Sequence, residues 1–433
     1  MPADFLYALL PDHLLLALLL VLMLLEMLRV SGRVVGPLVT ITLGVACALL
    51  LRQYATGYAV DLVPDEIRID HFTVLAKLVI LGCGLLWSML LRGRLTFKSA
   101  FLSCSSLLGA SVVMDSAGFV SLFLGIEMLS LPAFALMVHR AGTTAASEGA
   151  FKYLLLSSVA SALLLFGIAL AYGVAGSLTI EGFAAALDAG STQATTAGIL
   201  IASGFFLKAA VFPFHGWAPD AYASAHVNVT GFLASIVKGT VILALVRVLS
   251  TVPLDPVIAS VIGVLAVLSI YFGNVTAIGQ RGFRRLLAYS SIAHAGYMLF
   301  AFVDRTGARA DDLLWYVAIY AATVIVAAAA FATLCPGDSD DIRSLDGTFE
   351  THPVASLAFG LAMLSLAGIP PLPGFFAKLF IFKSVIASGY LAAAVIAFVG
   401  SFIGVTYYLS LFFRIFATEA VADSAHSTPR RTQ

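Results

Sequence analysis

Long apolar runs, each about as long as a membrane crossing, follow one another along nearly the whole chain. An α-helix needs about 20 predominantly apolar residues to cross the hydrocarbon core of a bilayer. Of the 433 residues, 61% are hydrophobic and 11% are charged. A soluble domain carries about 25% charged residues, so this chain lacks the polar side chains that would cover a water-soluble globule. The sequence therefore predicts an all-α polytopic membrane protein.

The charge balance and the cysteines limit what the chain can bind. The 24 basic and 24 acidic side chains give a net charge of zero, which argues against nucleic-acid binding. The four cysteines lie in different apolar runs, without the paired spacing of disulfides, zinc sites or iron–sulfur clusters. The sequence also lacks the Gly-rich turn between a strand and a helix that holds a dinucleotide. We therefore expect no redox centre, metal or cofactor in this chain.

Polar residues between the apolar runs divide the sequence into thirteen predicted transmembrane helices. We expect an N-terminal three-helix segment at residues 1–97, a five-helix repeat at 98–252, a second five-helix repeat at 253–416 and a polar cytoplasmic tail at 417–433. Because five is odd, the second repeat enters the membrane from the opposite face and is inverted. The predicted helices lie near residues 8–28, 35–52, 72–91, 98–114, 117–138, 149–175, 196–228, 230–249, 255–278, 285–303, 312–335, 353–387 and 389–416.

The distribution of basic residues over the loops predicts the orientation. Thirteen Lys and Arg residues fall on one side of the predicted membrane, five fall on the other, and six lysines lie within helices. Cytoplasmic loops of membrane proteins carry an excess of Lys and Arg. We therefore expect an N-terminus outside the cell and a C-terminus in the cytoplasm.

Prolines interrupt two of the predicted helices. Pro213 and Pro219 interrupt the first of them, and the Pro-rich stretch 370–373 interrupts the second. A proline inside a helix removes a backbone donor and opens the helix. Opened backbone at membrane depth is tolerated only where it is buried in protein or lines a hydrated cavity. Each interrupted helix is the fourth of its five-helix repeat, and such a matched pair indicates an ion or substrate path.

Four ionisable residues lie within the predicted helices at positions that favour a functional role. Glu127 lies near the middle of its helix, Lys208 and Lys378 flank the first and second proline-rich breaks, and Lys238 lies on the helix after the first break. A charge at a helix centre costs about 2.5–3.5 kcal/mol on insertion scales, so these residues are functional candidates by default.

Other charged residues have an alternative explanation. Lys152 lies within a turn of its helix start, where its side chain could equally reach the membrane interface. His294 matches Glu127 in its place within the repeat, but a lone histidine on an apolar helix is often a packing residue. His215 and His226, at the first break, could stabilise the opened backbone or line a hydrated opening. Three further charges, which we expect to reach the interface from helix ends or from outside the matching pattern of the repeats, are Glu26, Lys77 and Lys383.

Buried lysines beside one carboxylate suit proton transfer. Burial disfavours the charged form of a lysine, and a neighbouring carboxylate favours it. At about 5 Å and an effective dielectric constant of about 20, the attraction is about 3 kcal/mol, while moving one charge against about 150 mV costs about 3.5 kcal/mol. Moving Glu127 towards Lys208 or away from it could therefore load and release one proton. The sequence contains no dense group of carboxylates such as a dehydrated metal cation requires, which favours protons.

Five stretches carry the most specific motifs of the chain. They are residues 125–132 (GIEMLSLP), 151–158 (FKYLLLSS), 208–222 (KAAVFPFHGWAPDAY), 285–297 (RLLAYSSIAHAGY) and 368–378 (GIPPLPGFFAK). Together they resemble the antiporter-like membrane subunits of respiratory complex I. The resemblance extends over about residues 98–415.

This resemblance implies a proton-translocating subunit of a quinone-linked NADH dehydrogenase in a bacterial inner membrane. The subunit itself has no redox centre, and its partner subunits carry NADH, FMN, iron–sulfur clusters and quinone. The expected partners are the antiporter-like L and M subunits, the small K- and J-type subunits and membrane lipids. The residues to which the resemblance assigns proton transfer are Glu127, Lys152, Lys208, Lys238, His294 and Lys378.

The resemblance also assigns distinct roles to several of these residues. Glu127 and Lys208 would form the coupling pair, Lys238 would relay the proton with His294 as a further link, and Lys378 would lie on the outlet side. Two departures from the family pattern stand out. Residues 223–230 lack the usual Gly-Ala-Pro and second Pro, which predicts an altered half-helix there. The family usually has a fourteenth helix, which would be absent or supplied by a neighbour, since residues 417–433 are too polar to span a membrane.

Three alternatives to the NADH dehydrogenase remain open. The chain could be a subunit of a cation/proton antiporter, a membrane-arm subunit of a hydrogenase complex, or a scaffold that does not pump. The sequence WAPDAY at residues 217–222 favours the NADH dehydrogenase. The L and M paralogues and the multi-subunit sodium/proton antiporters typically have Leu after the Trp and His in place of the Tyr.

Overall fold

The computed structural model describes residues 2–91, 93–141, 144–249, 256–303, 309–337 and 339–417. Four of the arginines behind the predicted orientation lie outside the described residues: Arg92, Arg305, Arg430 and Arg431. The part of the predicted tail beyond residue 417 lies outside them as well.

Helices make up most of the fold, with one β-hairpin near the N-terminus. The N-terminal elements are α1 (Pro2–Ala8), α2 (Leu10–Met27), α3 (Val35–Ala55), β1 (Val60–Val63), β2 (Ile67–Ile69) and α4 (His71–Leu90). Next come α5 (Phe97–Asp115), α6 (Phe119–Ala141), α7 (Thr144–Ala175), α8 (Ile180–Asp188), α9 (Thr192–Ala209), α10 (Ala218–Ser224), α11 (Val227–Phe232) and α12 (Lys238–Leu249). The last are α13 (Pro256–Ile278), α14 (Phe283–Phe300), α15 (Arg309–Leu334), α16 (Thr348–Thr351), α17 (Pro353–Ala367), α18 (Pro373–Ala387) and α19 (Leu391–Arg414).

The predicted class, an all-α polytopic membrane protein, is confirmed. Within the described ranges, eleven helices are long and apolar enough to cross a membrane. The two segments that contain the prolines are each divided into shorter helices, α9 with α10 and α17 with α18. The sequence analysis did not predict the hairpin or the short helix α8, both of which lie between membrane-spanning helices.

One face of the molecule, which we name the hairpin face, carries the β-hairpin. Strand β1 pairs antiparallel with β2, and the ends of α5 and α7 reach the same face through isolated bridges. The guanidinium group of Arg68 on β2 contacts the carboxylates of Glu181 and Asp61. Its hydrogen bonds to Glu181 and Asp61 raise the pKa of Arg68 above its ordinary value. This network fixes the hairpin to α8.

The other ends of the helices form the opposite face. There Gly282 pairs with Asp341 in a short bridge, and the Arg414 guanidinium lies 2.8 Å from the Asp346 carboxylate. Arg284 Nη1 donates a hydrogen bond to a backbone carbonyl of the α10–α11 connection at 2.8 Å. These contacts join loops that follow α10, α13, α15 and α19 on one side of the molecule.

The centre of the molecule is formed by α12 and α14. Almost every residue of these two helices is buried. The outer helices instead expose large apolar side chains, such as Leu16, Leu20 and Leu24 on α2, as expected of a surface that faces lipid. Since α12 carries Lys238 and α14 carries His294, the fold places both residues deep in protein.

Candidate proton-transfer site

The backbone of the first interrupted helix opens between α9 and α10. Its freed groups find partners in the protein: Trp217 Nε1 donates to the Leu207 carbonyl at 2.8 Å, and the Phe212 amide donates to Ser269 Oγ at 3.0 Å. The opened backbone is therefore satisfied inside the protein, as the bilayer requires. The break places Lys208 in the last turn of α9.

A carboxylate on α6 pairs with this lysine. Glu127 Oε1 lies 3.3 Å from Lys208 Nζ, and the two side chains are 25% and 4% exposed. Ser161 Oγ donates to the same carboxylate oxygen at 2.5 Å. Lys208 Nζ also donates to Ser130 Oγ at 3.3 Å and to Ser157 Oγ at 3.1 Å. The fold thus brings together the two residues that the resemblance implies as a pair.

A small cavity lies beside the pair. It has a volume of about 10 Å³, and its lining includes Tyr153, Ser157, Lys208 and Trp217. A cavity of roughly this size and with polar partners can hold one water molecule. The hydroxyl groups and the ammonium group around it are therefore within reach of a single bridging water.

A second buried lysine begins α12. A π-helical turn, Leu233–Val237, directly precedes it, and such turns are frequent at functional sites. Lys238 is 1% exposed, and its Nζ donates to the Ser291 carbonyl at 2.9 Å and to Ser291 Oγ at 2.8 Å. In the described part of the chain, no carboxylate forms an ion pair with Lys238. Burial without a counter-charge disfavours the charged form of a lysine, so Lys238 is suited to give up its proton.

His294, further along α14, contacts two tyrosine hydroxyl groups that come from α15 and α19. Its Nδ1 is 2.9 Å from the Tyr316 hydroxyl, and its Nε2 is 3.2 Å from the Tyr408 hydroxyl. The Tyr408 hydroxyl also bonds Ser290, which adjoins Ser291 in the sequence. Polar side chains of α14 thus contact both the buried lysine of α12, through Ser291, and the tyrosine that bonds the histidine, through Ser290.

The second interrupted helix opens between α17 and α18, and a lysine occupies the break. Lys378 Nζ donates to the Leu366 and Ala367 carbonyls and to Ser401 Oγ, each at 3.1 Å. It also lies 4.9 Å from the ring centre of Tyr297. The last carbonyls of a helix lack partners within the helix and attract positive charge. Lys378 therefore provides hydrogen bonds to the last carbonyl groups of α17, and its side chain occupies the break.

Lys152 lies apart from the buried lysines, towards the opposite face. Its side chain is 43% exposed, and its Nζ lies 2.9 Å from the carboxylates of both Glu148 and Asp220. Arg285 approaches the same Asp220 carboxylate at 3.7 Å. Lys152 is thus one member of a partly exposed group of charges on α7, α10 and α14.

The expectation that Lys77 reaches the membrane interface is wrong. Its side chain is 1% exposed, and its Nζ lies 2.7 Å from Asp12 Oδ2 and 2.5 Å from Asp115 Oδ2. These partners lie on other helices, so the pattern around Lys77 in the sequence could not indicate them. Glu26 and Lys383 are exposed, as expected of side chains that reach the interface.

The two histidines at the first break lie in different settings. The His215 ring stacks on Phe212 with a centroid distance of 5.4 Å. His226 Nδ1 accepts a hydrogen bond from the Asn228 amide at 3.3 Å and so caps α11. In the segment 223–230, α10 ends and α11 begins within three residues, so the half-helix after the first break is only seven residues long.

Sequence reasoning missed the uncharged polar residues that surround the ionisable ones. In the sequence, each of them is a single polar side chain within an otherwise apolar helix, and one such residue is weak evidence of a functional role. On α14, however, the polar residues fall three and four positions apart, which places them on one face of a helix. The missed residues are Ser130, Ser157, Ser161, Asn274, Ser290, Ser291, Tyr297, Tyr316, Ser401 and Tyr408.

Two split helices, with buried lysines at or beside the splits, define the class of protein. Charged groups at membrane depth beside broken helices are typical of proteins that move ions across membranes. The fold and the site therefore place this chain among the polytopic ion-translocating membrane proteins.

Comparisons with known proteins agree with this class. The model of the family described as NADH:quinone oxidoreductase/Mrp antiporter, TM matches residues 116–404, and the chain belongs to this family. It is 54% identical to NADH-quinone oxidoreductase subunit N of Pelobacter propionicus, over 99% of this chain and 93% of the relative.

Solved structures resemble this chain over nearly its whole length. A chain of respiratory complex I from Thermus thermophilus with bound aureothin is 30% identical, with a TM-score of 0.80 over 94% of this chain and 90% of the other. A chain of the Mrp complex from Dietzia sp. DQ12-45-1b is 25% identical, with a TM-score of 0.84 over 95% of this chain and 81% of the other. Both relatives are parts of membrane complexes with several subunits.

Proposed function

We propose that this chain translocates protons as the subunit N component of an NADH:quinone oxidoreductase, without a redox centre of its own. The 54% identity to a subunit N over nearly the full length of both chains supports this assignment. The observation that carries the mechanism is the partly buried contact of 3.3 Å between Glu127 and Lys208 beside a broken helix.

The pair can couple the position of one charge to the protonation of another. At 3.3 Å and an effective dielectric constant of about 20, two unit charges attract each other by about 5 kcal/mol. Moving one charge against about 150 mV costs about 3.5 kcal/mol. When Glu127 withdraws, Lys208 loses the charge that holds its proton, and the proton can leave towards the centre of the molecule.

The buried polar side chains give this proton a route. From Lys208 it passes by way of water to Lys238, whose contacts with Ser291 lead on to His294 and then to Lys378 at the second break. The hydrogen bonds of Lys238 to Ser291 join α12 to α14 on this route, and we propose that water bridges the other steps. We place Lys378 on the outlet side.

Lys152 acts where protons are taken up. With Glu148 on α7 and Asp220 on α10 it forms a partly exposed charged group, and α7 also carries Ser157. Acidic groups at this position collect protons from water and pass them towards Lys208. The uptake side is then the opposite face, which the positive-inside rule assigns to the cytoplasm.

Energy for the movement of Glu127 comes from other subunits of the complex. We propose that these include the antiporter-like L and M subunits and the small J- and K-type subunits. The NADH, FMN, iron–sulfur and quinone sites lie in further partners. The whole assembly resides in a bacterial inner membrane.

The Mrp-like fold makes a cation/proton antiporter subunit the second candidate. The two candidates differ in what drives transport. An NADH dehydrogenase subunit pumps when NADH is oxidised, whereas an antiporter subunit exchanges protons for sodium without NADH.

The test replaces Lys208 by Ala and, separately, Glu127 by Gln in the chromosomal copy. Inverted membrane vesicles are then energised with NADH, and proton uptake is measured beside the rate of quinone reduction. We expect each variant to assemble and to lose most of its proton uptake per NADH oxidised. The exposed Lys383→Ala is the matched control and should pump normally. Normal pumping in both test variants would contradict the proposal and favour a scaffold that does not pump. Sodium-driven proton exchange without NADH would favour the antiporter.

A further inference from the structure

A second group of buried charges lies outside the route from Lys208 to Lys378. Lys77 on α4 contacts Asp12 on α2 and Asp115 on α5, and the three side chains are 1%, 11% and 5% exposed. The helices α2 and α4 begin, and α5 ends, at the hairpin face. We name these three residues the N-terminal triad. It lies near the hairpin face, away from both broken helices.

The charges of the triad do not balance. Two carboxylates face one ammonium group, which leaves one negative charge in a buried site when all three are ionised. Since both Oδ2 atoms contact the same nitrogen, they lie at most about 5 Å apart, a distance at which two carboxylates resist ionising together. A buried unpaired charge is costly, and a carboxylic acid avoids this cost by keeping its proton.

The arginines of the surrounding elements contact other groups. Arg247 at the end of α12 approaches the chain next to Asp115, and its guanidinium donates to the Ser116 carbonyl at 2.9 Å and to Asp70 Oδ2 at 2.7 Å. The Asp70 carboxylate offsets its charge. Arg68 on the same face is held by Asp61 and Glu181, and the Arg52 guanidinium lies over the ring of Tyr7.

Three other polar atoms of the site have no partner among the described residues. These are Asp12 Oδ1, Asp115 Oδ1 and the hydroxyl oxygen of Ser111. Ser111 lies one helical turn before Asp115 and is 0% exposed, while Asp115 is 3% exposed. Residues four apart lie on the same face of a helix, so Ser111 lies on the same side of α5 as Asp115. The site therefore retains unused capacity to hold a proton or to bond water.

We infer that Asp12, Lys77 and Asp115 form a binding site for one exchangeable proton, which the two carboxylates share and which reaches the water of the hairpin face through Asp12. When the proton is bound, the triad is neutral, with one carboxyl group, one carboxylate and one ammonium group. Release transfers the proton to water and leaves a net charge of −1. The site is separate from the Glu127–Lys208 pair, and its test does not depend on pumping.

The test detects the neutral carboxyl group directly in the assembled complex. A hydrophobic carbodiimide reacts with protonated carboxyl groups in membranes, and mass spectrometry identifies the modified residue. We expect modification of Asp12 or Asp115 near neutral pH, which decreases as the pH rises. In Asp115→Asn the remaining Asp12 balances Lys77 and should no longer react, and Asp12→Asn should protect Asp115 in the same way. The control is Asp188→Asn, an exposed carboxylate of the same face, which should leave the triad reactive.

Lys77→Met tests whether the reagent reaches the site, because both carboxyl groups should then be neutral and reactive. Reaction in Lys77→Met without reaction in the unaltered complex would overturn the inference. If the reagent modifies neither the unaltered complex nor Lys77→Met, infrared difference spectra between acidic and alkaline buffer test the inference instead. A carboxyl C=O band that is lost in Asp115→Asn and in Asp12→Asn supports a shared proton. A band that persists in both variants refutes it.

Discussion

At the scale of single residues, the contacts of Glu127 determine how well the pair can work. Ser161 donates a hydrogen bond of 2.5 Å to the carboxylate oxygen that also faces Lys208. Hydrogen bonds to charged groups contribute about 1.5–3 kcal/mol. We therefore predict that Ser161→Ala lowers NADH-driven proton uptake about tenfold to a hundredfold, because each tenfold step corresponds to about 1.4 kcal/mol.

Ser158 is the matched control for this prediction. It lies on the same helix, is exposed, and among the described residues its hydroxyl bonds only the Leu154 carbonyl of its own helix. Ser158→Ala should pump normally in the same vesicle assay. Equal pumping in Ser161→Ala and Ser158→Ala would show that the serine hydroxyl does not assist Glu127.

The ionisable members of the candidate site could be predicted from the sequence, but their surroundings could not. Glu127 and Lys208 are conspicuous because a charge within an apolar run is rare. The hydroxyl groups of Ser161 and Tyr408 are not, since such residues are common in helices. Lys77 was misjudged because its partners come from helices far apart in the chain, and only the packing of α2, α4 and α5 brings them together.

At the scale of helices, one close contact positions α6. A Cβ atom on Gly109 of α5 would lie 2.4 Å from the backbone nitrogen of Leu129, two residues from Glu127. Small residues allow helices in membranes to approach this closely. We predict that Gly109→Ala forces α5 and α6 apart and destabilises the subunit by about 1–3 kcal/mol, as overpacking commonly does.

Gly82 on α4 is the control for Gly109, because a Cβ atom there meets no atom within 4 Å. Gly82→Ala should be neutral or stabilising by up to about 1 kcal/mol, since Ala favours helix more than Gly does. The measurement is the midpoint of thermal dissociation of the purified complex, together with pumping. Similar midpoints for the two variants would contradict the proposed role of the α5–α6 contact.

The hydrophobic pattern predicted the helices far better than the connections. The long helices could be predicted because a lipid-facing segment must itself be apolar. Both breaks could be predicted because a proline disrupts the helix in which it lies. The hairpin at residues 60–69 was missed because its strands are only four and three residues long. The helix α8 was missed because nine residues are too few for a membrane span.

At the scale of the whole molecule, we propose that the two five-helix repeats share one packing pattern. A Cβ atom on Gly109 would meet the amide of Leu129, and one on Gly273 would lie 2.6 Å from the amide of Ala293. The two partners of each contact are equally far apart in the sequence, and each contact joins the first and second helices of its repeat. The same close approach in both units supports the proposal that the two repeats are related.

The proposed orientation predicts which face of the molecule water outside the cell can reach. Asp188 lies on the hairpin face and Glu350 on the opposite face, both residues are exposed, and the four native cysteines are buried. A membrane-impermeant maleimide applied to intact cells should therefore label Asp188→Cys, whereas Glu350→Cys should react only after the membrane is permeabilised. If Glu350→Cys is labelled in intact cells and Asp188→Cys is not, the orientation is the reverse of the one proposed. Uptake of protons at Lys152 would then begin outside the cell, in conflict with a pump that exports protons from the cytoplasm.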